Sequence, residues 1–157
     1  MKPAASEGAL RVQATLGESF RVLEFEQSTH SSADAAAAIG CDVAQIAKSM
    51  VFKAADGQPV LVVASGVNRV DEKKVAALLG QKIGRADPAF VLHHTGFAVG
   101  GVAPVGHGTP PLTLLDRDLA AFPRIWAAAG SPNAVFELTP ADLERLTGAT
   151  FADVAKR

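Results

Sequence analysis

Tyrosine is absent from this chain of 157 residues, and cysteine and tryptophan occur once each. The single cysteine, Cys41, excludes an internal disulfide and a zinc site built from several cysteines. No apolar run approaches the ~20 residues that a helix needs to cross a bilayer, and residues 1–10 lack the apolar core of a signal peptide. We therefore expect one cytoplasmic domain, with enough residues for a full hydrophobic core.

The motifs that usually mark a serine nucleophile or a nucleotide phosphate site are also missing. There is no G-x-S-x-G elbow and no G-x-x-x-x-G-K-[ST] phosphate loop. His93 and His94 are adjacent within a predicted helix, so they point in different directions and cannot both bind one metal ion. We expect no metal or organic cofactor. Any hydrolysis would rely on a positioned water or substrate hydroxyl rather than on an activated side chain.

The formal net charge of −1 hides an uneven distribution. Residues 46–86 contain seven basic and three acidic side chains, whereas both flanking parts carry a net negative charge. The positive excess is either a contact surface for a phosphate backbone or an ordinary solvated face. Its members are Lys48, Lys53, Arg69, Lys73, Lys74, Lys82 and Arg85.

Apolar periodicity, together with turn and capping residues, predicts a chain of alternating helices and strands. Hairpins occur as well, one of them around a two-residue Asp56-Gly57 turn, so the sheet should be mixed and the fold class α+β. Helices are predicted at residues 6–16, 31–40, 71–80, 87–96 and 139–148, with a short helical turn after Asp42. Strands are predicted at residues 20–26 (an edge strand), 48–55, 59–64, 112–115, 124–128, 134–138 and 150–155.

A glycine-rich stretch, TGFAVGGVAPVGHG at residues 95–108, is the most unusual part of the sequence. Its five glycines and Pro104 exclude a helix interior and a central strand. Its apolar residues argue against a solvated linker, which leaves two interpretations. The glycines either let main-chain N–H groups approach a ligand or only satisfy the geometry of a tight connection. His107, within the stretch, is either a general base or a hydrogen-bonding loop residue.

Lys48 stands at the start of a predicted strand and is followed by Ser49. At that position its ammonium group could lie at the rim of a pocket, although most lysines are simply solvated. A cation facing the main-chain donors of the glycine-rich stretch would suit an ester carbonyl that becomes an oxyanion, or a phosphate.

The sequences KSMVFK at residues 48–53 and TGFAVGGVAPVG at residues 95–106 occur in the order and form typical of one family. With them, the chain from about residue 10 to 154 resembles the YbaK/ProX family of free-standing aminoacyl-tRNA deacylases, which is related to the editing domain inserted in bacterial prolyl-tRNA synthetases. The resemblance implies a single domain with a barrel-like mixed sheet of about six to seven strands surrounded by helices. It also implies hydrolysis of the ester of a small mischarged amino acid, most often on tRNA(Pro). The implied partners are the acceptor end of mischarged tRNA and a prolyl-tRNA synthetase.

The resemblance also suggests roles for individual residues. It implies a catalytic group of Lys48, Gly100 and Gly101, in which the lysine anchors the terminal adenosine or a nearby phosphate and the glycine N–H groups polarise the carbonyl. The residues it assigns to substrate binding are Ser49, Phe25, Val102, Ala103, Pro104, His107 and Val135.

Two of these positions depart from the branch of the family that deacylates cysteinyl-tRNA(Pro). Phe25 aligns with a tyrosine of that branch and Val135 with an aspartate, so two polar groups are lost from the expected pocket. Alanine, serine, threonine or a non-protein analogue therefore fits as well as cysteine. Two other functions stay open: a module that binds its ligand without turnover, and an ester hydrolase for small molecules.

Overall fold

The computed structural model describes residues 1–26 and 31–157, which form one mixed sheet with helices packed on it. Five α-helices occur among these residues, each beginning one residue after the start of its predicted range: α1 Glu7–Leu16, α2 Ser32–Ile39, α3 Glu72–Leu79, α4 Pro88–Thr95 and α5 Pro140–Thr147. Ser6, Ser31, Asp71, Asp87 and Thr139 each accept a main-chain N–H bond at the first turn. No helix in the described ranges is long and apolar enough to cross a membrane.

The sheet contains more strands than the six to seven expected. Nine are found in the described residues: β1 Lys2–Pro3, β2 Val22–Glu24, β3 Ile46–Ala54, β4 Pro59–Ser65, β5 Ile83–Arg85, β6 Leu112–Asp116, β7 Ile125–Ala128, β8 Ala134–Leu138 and β9 Phe151–Ala152. The two strands that were not predicted, β1 and β5, have two and three residues, too few to show a period of two.

The expected α+β class and mixed sheet are confirmed, but the sheet does not close into a barrel. Its order is β1-β2-β8-β7-β3-β4-β6-β9, with β5 paired to β3 beside this path. The terminal strands β1 and β9 have two residues each and do not pair with each other, so the sheet is open. β2 lies between β1 and β8 rather than at the edge, and the last predicted strand shrinks to β9 and one bridge between Val70 and Ala155.

The β3–β4 hairpin forms the centre of the sheet. All seven residues of β4 are buried, as its near-continuous apolar sequence predicts for a strand with neighbours on both sides. The predicted two-residue turn is a four-residue loop at 55–58, in which Ala54 N–H donates to the Gln58 carbonyl and Gly57 adopts a φ of 89°. β3, with nine residues, is the longest strand in the described residues. The strands along the edge of β3 opposite β4 determine the position of the site.

Candidate active site

The outer edge of β3 is only partly covered by neighbouring strands. β7 pairs with Ile46 and Ala47 at one end, and β5 pairs with Phe52–Ala54 at the other end. Residues 48–51 pair with β4 on the inner side only. Because β7 and β5 do not meet, a gap in the sheet opens beside Lys48, Ser49, Met50 and Val51.

Main-chain groups of β3 face this gap. The Ile46 carbonyl accepts from Gly66 N–H at 2.8 Å and Ala54 N–H donates to Gln58 at 2.9 Å, so even-numbered residues of β3 bond toward β4. In an antiparallel pair this direction alternates along the strand. The N–H and C=O groups of Ser49 and Val51 therefore point into the gap, where a ligand can pair with them.

Two cavities meet at the gap, with volumes of about 660 and 610 Å³. They share six residues, which form the junction between them: Lys48, Ser49, Met50, Val99, Gly100 and Val102. The structure thus brings Lys48 and the glycine-rich stretch to the same opening. Ser49 Oγ, also at the junction, is buried and has no hydrogen-bond partner in the described residues, so it is available to a ligand.

The larger cavity, here called the cationic cavity, collects positive charge. Beyond the junction it is lined by Arg69, Arg85 and Lys156, with Glu72 as its one carboxylate among the described residues. Burial lowers the pKa of Lys48, the nearby Arg69 guanidinium lowers it further, and Asp116 partly opposes both effects. Three of the seven residues in the central positive excess line this cavity: Lys48, which is half-buried, and Arg69 and Arg85, which are also exposed to solvent.

The second cavity, here called the apolar cavity, has a different lining. Lys48 is its one charged residue among those described. Trp126 and Val135 form part of its wall, and the hydroxyl-bearing residues Ser31, Ser32 and Ser131 lie at its surface. The cavity suits a small uncharged side chain, because an unpaired charge on a buried side chain would be costly.

The glycine-rich stretch presents different donors from those expected. Gly101 N–H is already used in a turn, donating to the Ala98 carbonyl at 3.0 Å. In the described part of the chain, the N–H groups of Gly100 and Val102 donate to no protein acceptor, and both residues line the junction. Gly101 has instead a packing role, since a Cβ atom there would lie 2.8 Å from Ser131 Cα.

Four of the expected binding residues line neither cavity: Phe25, Ala103, Pro104 and His107. The main chain of Phe25 bonds to Asn133 in both directions, with its N–H donating at 2.8 Å and its carbonyl accepting at 2.8 Å. His107 Nε2 donates to the Ala103 carbonyl at 2.6 Å, and burial lowers the pKa of its ring. His107 thus fixes the loop, which agrees with the second of its two interpretations.

Arg11 in α1 is a residue that the sequence patterns did not identify. Its guanidinium donates to the carbonyls of Thr95, Gly96 and Gly106 at 2.7–3.0 Å, and it lies 4.0 Å from the centre of the Phe97 ring. One side chain thus ties together the two ends of the glycine-rich stretch. The nearest point of this stretch is 84 residues away in sequence, so no local pattern could reveal the contact.

Replacing Arg11 with methionine is expected to lower the free energy of unfolding by about 1–3 kcal/mol, because three hydrogen bonds and a cation–π contact are lost. Urea denaturation followed by circular dichroism measures the change. Arg21→Met is the matched control, since Arg21 is exposed and has no ion pair or hydrogen bond in the described residues. Equal effects of the two substitutions would contradict the assigned role of Arg11.

The fold and the two cavities define a class of protein: an α+β domain in which a cationic and an apolar cavity meet at main-chain donors left free in the described residues. Within the described residues, no group of three or more His, Cys, Asp or Glu side chains is placed to hold a metal ion. The chain belongs to the aminoacyl-tRNA editing domain family, whose model matches residues 26–146. The resemblance seen in the sequence and the class of activity, hydrolytic deacylation of aminoacyl-tRNA, are thereby confirmed.

Individual relatives agree with this membership. The chain is 38% identical to the uncharacterized protein YwhH of Bacillus subtilis over 136 residues, which cover 86% of this chain and 87% of YwhH. It is 28% identical to EbsC of Enterococcus faecalis, described as a proposed Cys-tRNA(Pro)/Cys-tRNA(Cys) deacylase, over 88% of this chain and 86% of EbsC. A crystal structure of a proposed trans-editing enzyme for prolyl-tRNA synthetase superposes with a TM-score of 0.93 at 44% identity, covering 98% of this chain and all of the other.

Proposed function

We propose that this protein hydrolyses the ester between a small amino acid and the terminal adenosine of mischarged tRNA(Pro), in the cytoplasm and in association with a prolyl-tRNA synthetase. The observation that carries the proposal is the junction, where Lys48 and Gly100 lie between a cationic and an apolar cavity. An aminoacyl-tRNA end has the matching shape: an uncharged side chain on one side of the ester and a nucleotide with phosphates on the other.

The proposed reaction places the ester carbonyl at the junction. A water attacks the carbonyl carbon, and the N–H groups of Gly100 and Val102 donate to the oxygen as negative charge develops on it. The carbon–oxygen bond to the ribose then breaks, and the proton of the water passes to the departing ribose oxygen. Free amino acid and intact tRNA are released. Lys48 binds the nucleotide side and keeps the ester in place.

The lining of the apolar cavity supports an uncharged small amino acid as the one removed. Val135 lies in this wall, so the aspartate that is typical of the cysteine-specific branch is missing from the cavity itself. Phe25 lies outside both cavities, and its difference from tyrosine therefore bears less on the choice of substrate. Alanine, serine and threonine are the amino acids to test first, with cysteine for comparison.

A panel of tRNA(Pro) samples charged with alanine, serine, threonine, cysteine or proline tests the proposal. Release of free amino acid from one of the first three, at low enzyme concentration and well above release from prolyl-tRNA(Pro), is the expected result. Binding without release from any sample would instead indicate a binding module. Equal cleavage of aminoacyl-adenosine and whole tRNA would indicate a hydrolase for small esters.

The Lys48 ammonium should give the reaction an alkaline limit, and Arg69 should set where that limit falls. Activity is lost as pH rises through the pKa of Lys48, which burial and then the Arg69 charge keep below its usual value. Arg69→Gln removes the second effect, so the pKa of Lys48 rises and the loss of activity moves to higher pH. The measurement is kcat/KM from pH 7 to 10 after subtraction of spontaneous ester hydrolysis. Lys73→Gln is the control and should leave the pH dependence of kcat/KM unchanged. The prediction is contradicted if the alkaline loss of activity in Arg69→Gln occurs at the same pH as in the parent protein, or at a lower pH.

A further inference from the structure

Four basic side chains line the cationic cavity, and none forms an ion pair in the described part of the chain: Lys48, Arg69, Arg85 and Lys156. Basic groups nearby are neutralised, since Lys74 pairs with Asp153 at 3.0 Å and Arg157 with Asp118 at 3.2 Å. The cationic cavity therefore carries four basic side chains without an ion pair and one carboxylate, Glu72.

Two of these cations, Arg69 and Lys156, lie in segments that are far apart in sequence but joined by main-chain hydrogen bonds. Lys156 N–H donates to the Arg69 carbonyl at 2.8 Å, Asp71 N–H donates to the Val154 carbonyl at 2.8 Å, and Val70 forms an antiparallel bridge with Ala155. In this register Arg69 lies directly opposite Lys156. Side chains at opposite positions of an antiparallel pair start ~5 Å apart, and like charges there repel each other. An anion between them would remove this repulsion.

The position of Arg69 is fixed by a polar network behind it. Asp116, fully buried, accepts from Ser65 N–H and from Asn68 Nδ2 at 3.0 and 2.8 Å. Asn68 Nδ2 also donates to Asp118, whose carboxylate is held by the Arg157 guanidinium. Arg157 thus contacts Asn68, the residue before Arg69, through Asp118. Residues 154–156 hold the same loop through main-chain hydrogen bonds and the bridge.

We propose that Arg69 and Lys156 together bind a phosphodiester group of the tRNA 3′ strand, and that Arg157 is a positioning residue for this pair. The inference rests on the proposed function, because it assigns the cationic cavity to the nucleic-acid part of that substrate. The pair lies beyond the junction from the apolar cavity, so it binds the substrate on the far side of the ester. Its contacts are the same before and during ester cleavage. Such uniform binding lowers KM without raising kcat.

The test is the deacylation of mischarged tRNA by Lys156→Glu and Arg69→Gln at several salt concentrations. We expect KM to rise about tenfold for Lys156→Glu while kcat stays within twofold of the parent protein. The slope of log kcat/KM against log salt concentration is negative, and it should become less negative by about one for each phosphate contact that is lost. Arg157→Met should raise KM in the same direction, with a smaller effect, and leave kcat in place.

Lys73→Glu is the matched control, since it makes the same change of charge on an exposed lysine outside the cationic cavity. The inference is overturned if Lys156→Glu has the same KM and the same salt dependence as the parent protein. It is also overturned if Lys73→Glu changes both quantities as much as Lys156→Glu does. A fall in kcat with unchanged KM would also overturn it, because it would indicate a disturbed junction. If the parent protein releases no amino acid from any mischarged tRNA, the proposed function itself fails. If the parent protein is active and the variants behave like it, only the inference about Arg69 and Lys156 fails.

Discussion

Replacing Lys48 with alanine is expected to lower kcat/KM for mischarged tRNA at least a hundredfold, which corresponds to about 2.7 kcal/mol. The ammonium group lies at the junction of the two cavities, and no carboxylate within the described residues pairs with it. In the proposed reaction it holds the nucleotide side of the ester near the donors of Gly100 and Val102. Loss of this anchor leaves the ester mobile, and misplacement by about 1 Å can cost a hundredfold in rate.

The fold should survive this substitution, which makes the experiment informative. Lys48 is half-buried, but its side chain forms no ion pair or hydrogen bond in the described residues, so the thermal midpoint should change by only a few degrees. Lys53→Ala is the matched control, since Lys53 lies in the same strand outside both cavities, 5.5 Å from the Phe90 ring. Lys48→Arg should retain part of the activity, because it keeps the charge in a larger side chain. A fully active Lys48→Ala variant would remove Lys48 from the site.

The second large effect is expected for Gly101→Ala, which should lower both stability and activity. The added Cβ atom would lie 2.8 Å from Ser131 Cα and 3.0 Å from the Ser131 N and C atoms. These are main-chain atoms of the β7–β8 connection, which cannot turn aside as a side chain can. The glycine-rich stretch must therefore shift, at a cost of about 1–3 kcal/mol in the free energy of unfolding.

The same shift moves Gly100 and Val102 at the junction, so kcat/KM should fall more than tenfold even well below the thermal midpoint. Thermal unfolding and initial rates at 20–25 °C separate the two effects. Gly84→Ala is the control, because its Cβ atom meets nothing within 4 Å, and alanine is less costly than glycine in a strand. A Gly101→Ala variant with parental midpoint and rate would show that the loop does not depend on this close approach.

The helices illustrate what local sequence signals can predict. A capping residue at one end and a glycine at the other mark α3, α4 and α5, and Gly80, Gly96 and Gly148 adopt the positive φ values of 67–79° that end these helices. Each signal acts within a few residues, so its effect does not depend on the rest of the fold. The short strands β1 and β5 were missed because their pairing partners, not their own residues, make them strands.

The site was predictable only in part. Motif resemblance singled out Lys48 and Gly100, and the structure brings both to the junction. The same reasoning placed Ala103, Pro104 and His107 in the pocket, whereas they line neither cavity. A motif records which residues belong together in a family, but it does not distinguish a residue that faces the ligand from one that supports the loop behind it. The assignment of Gly101 shows the same limit, since its N–H group serves a turn.

The sequence by itself determined the helices, the central hairpin, the mixed sheet and the family of deacylases to which the chain belongs. These follow from short-range periodicity, capping and turn residues, and from two motifs that are contiguous in the chain. Only the tertiary structure decided that β7 and β5 leave a gap beside β3, that Arg11 holds both ends of the glycine-rich stretch, and that Lys156 stands opposite Arg69. These arrangements depend on contacts between residues from 29 to 95 positions apart, and the energy of such a contact exists only after the chain has folded.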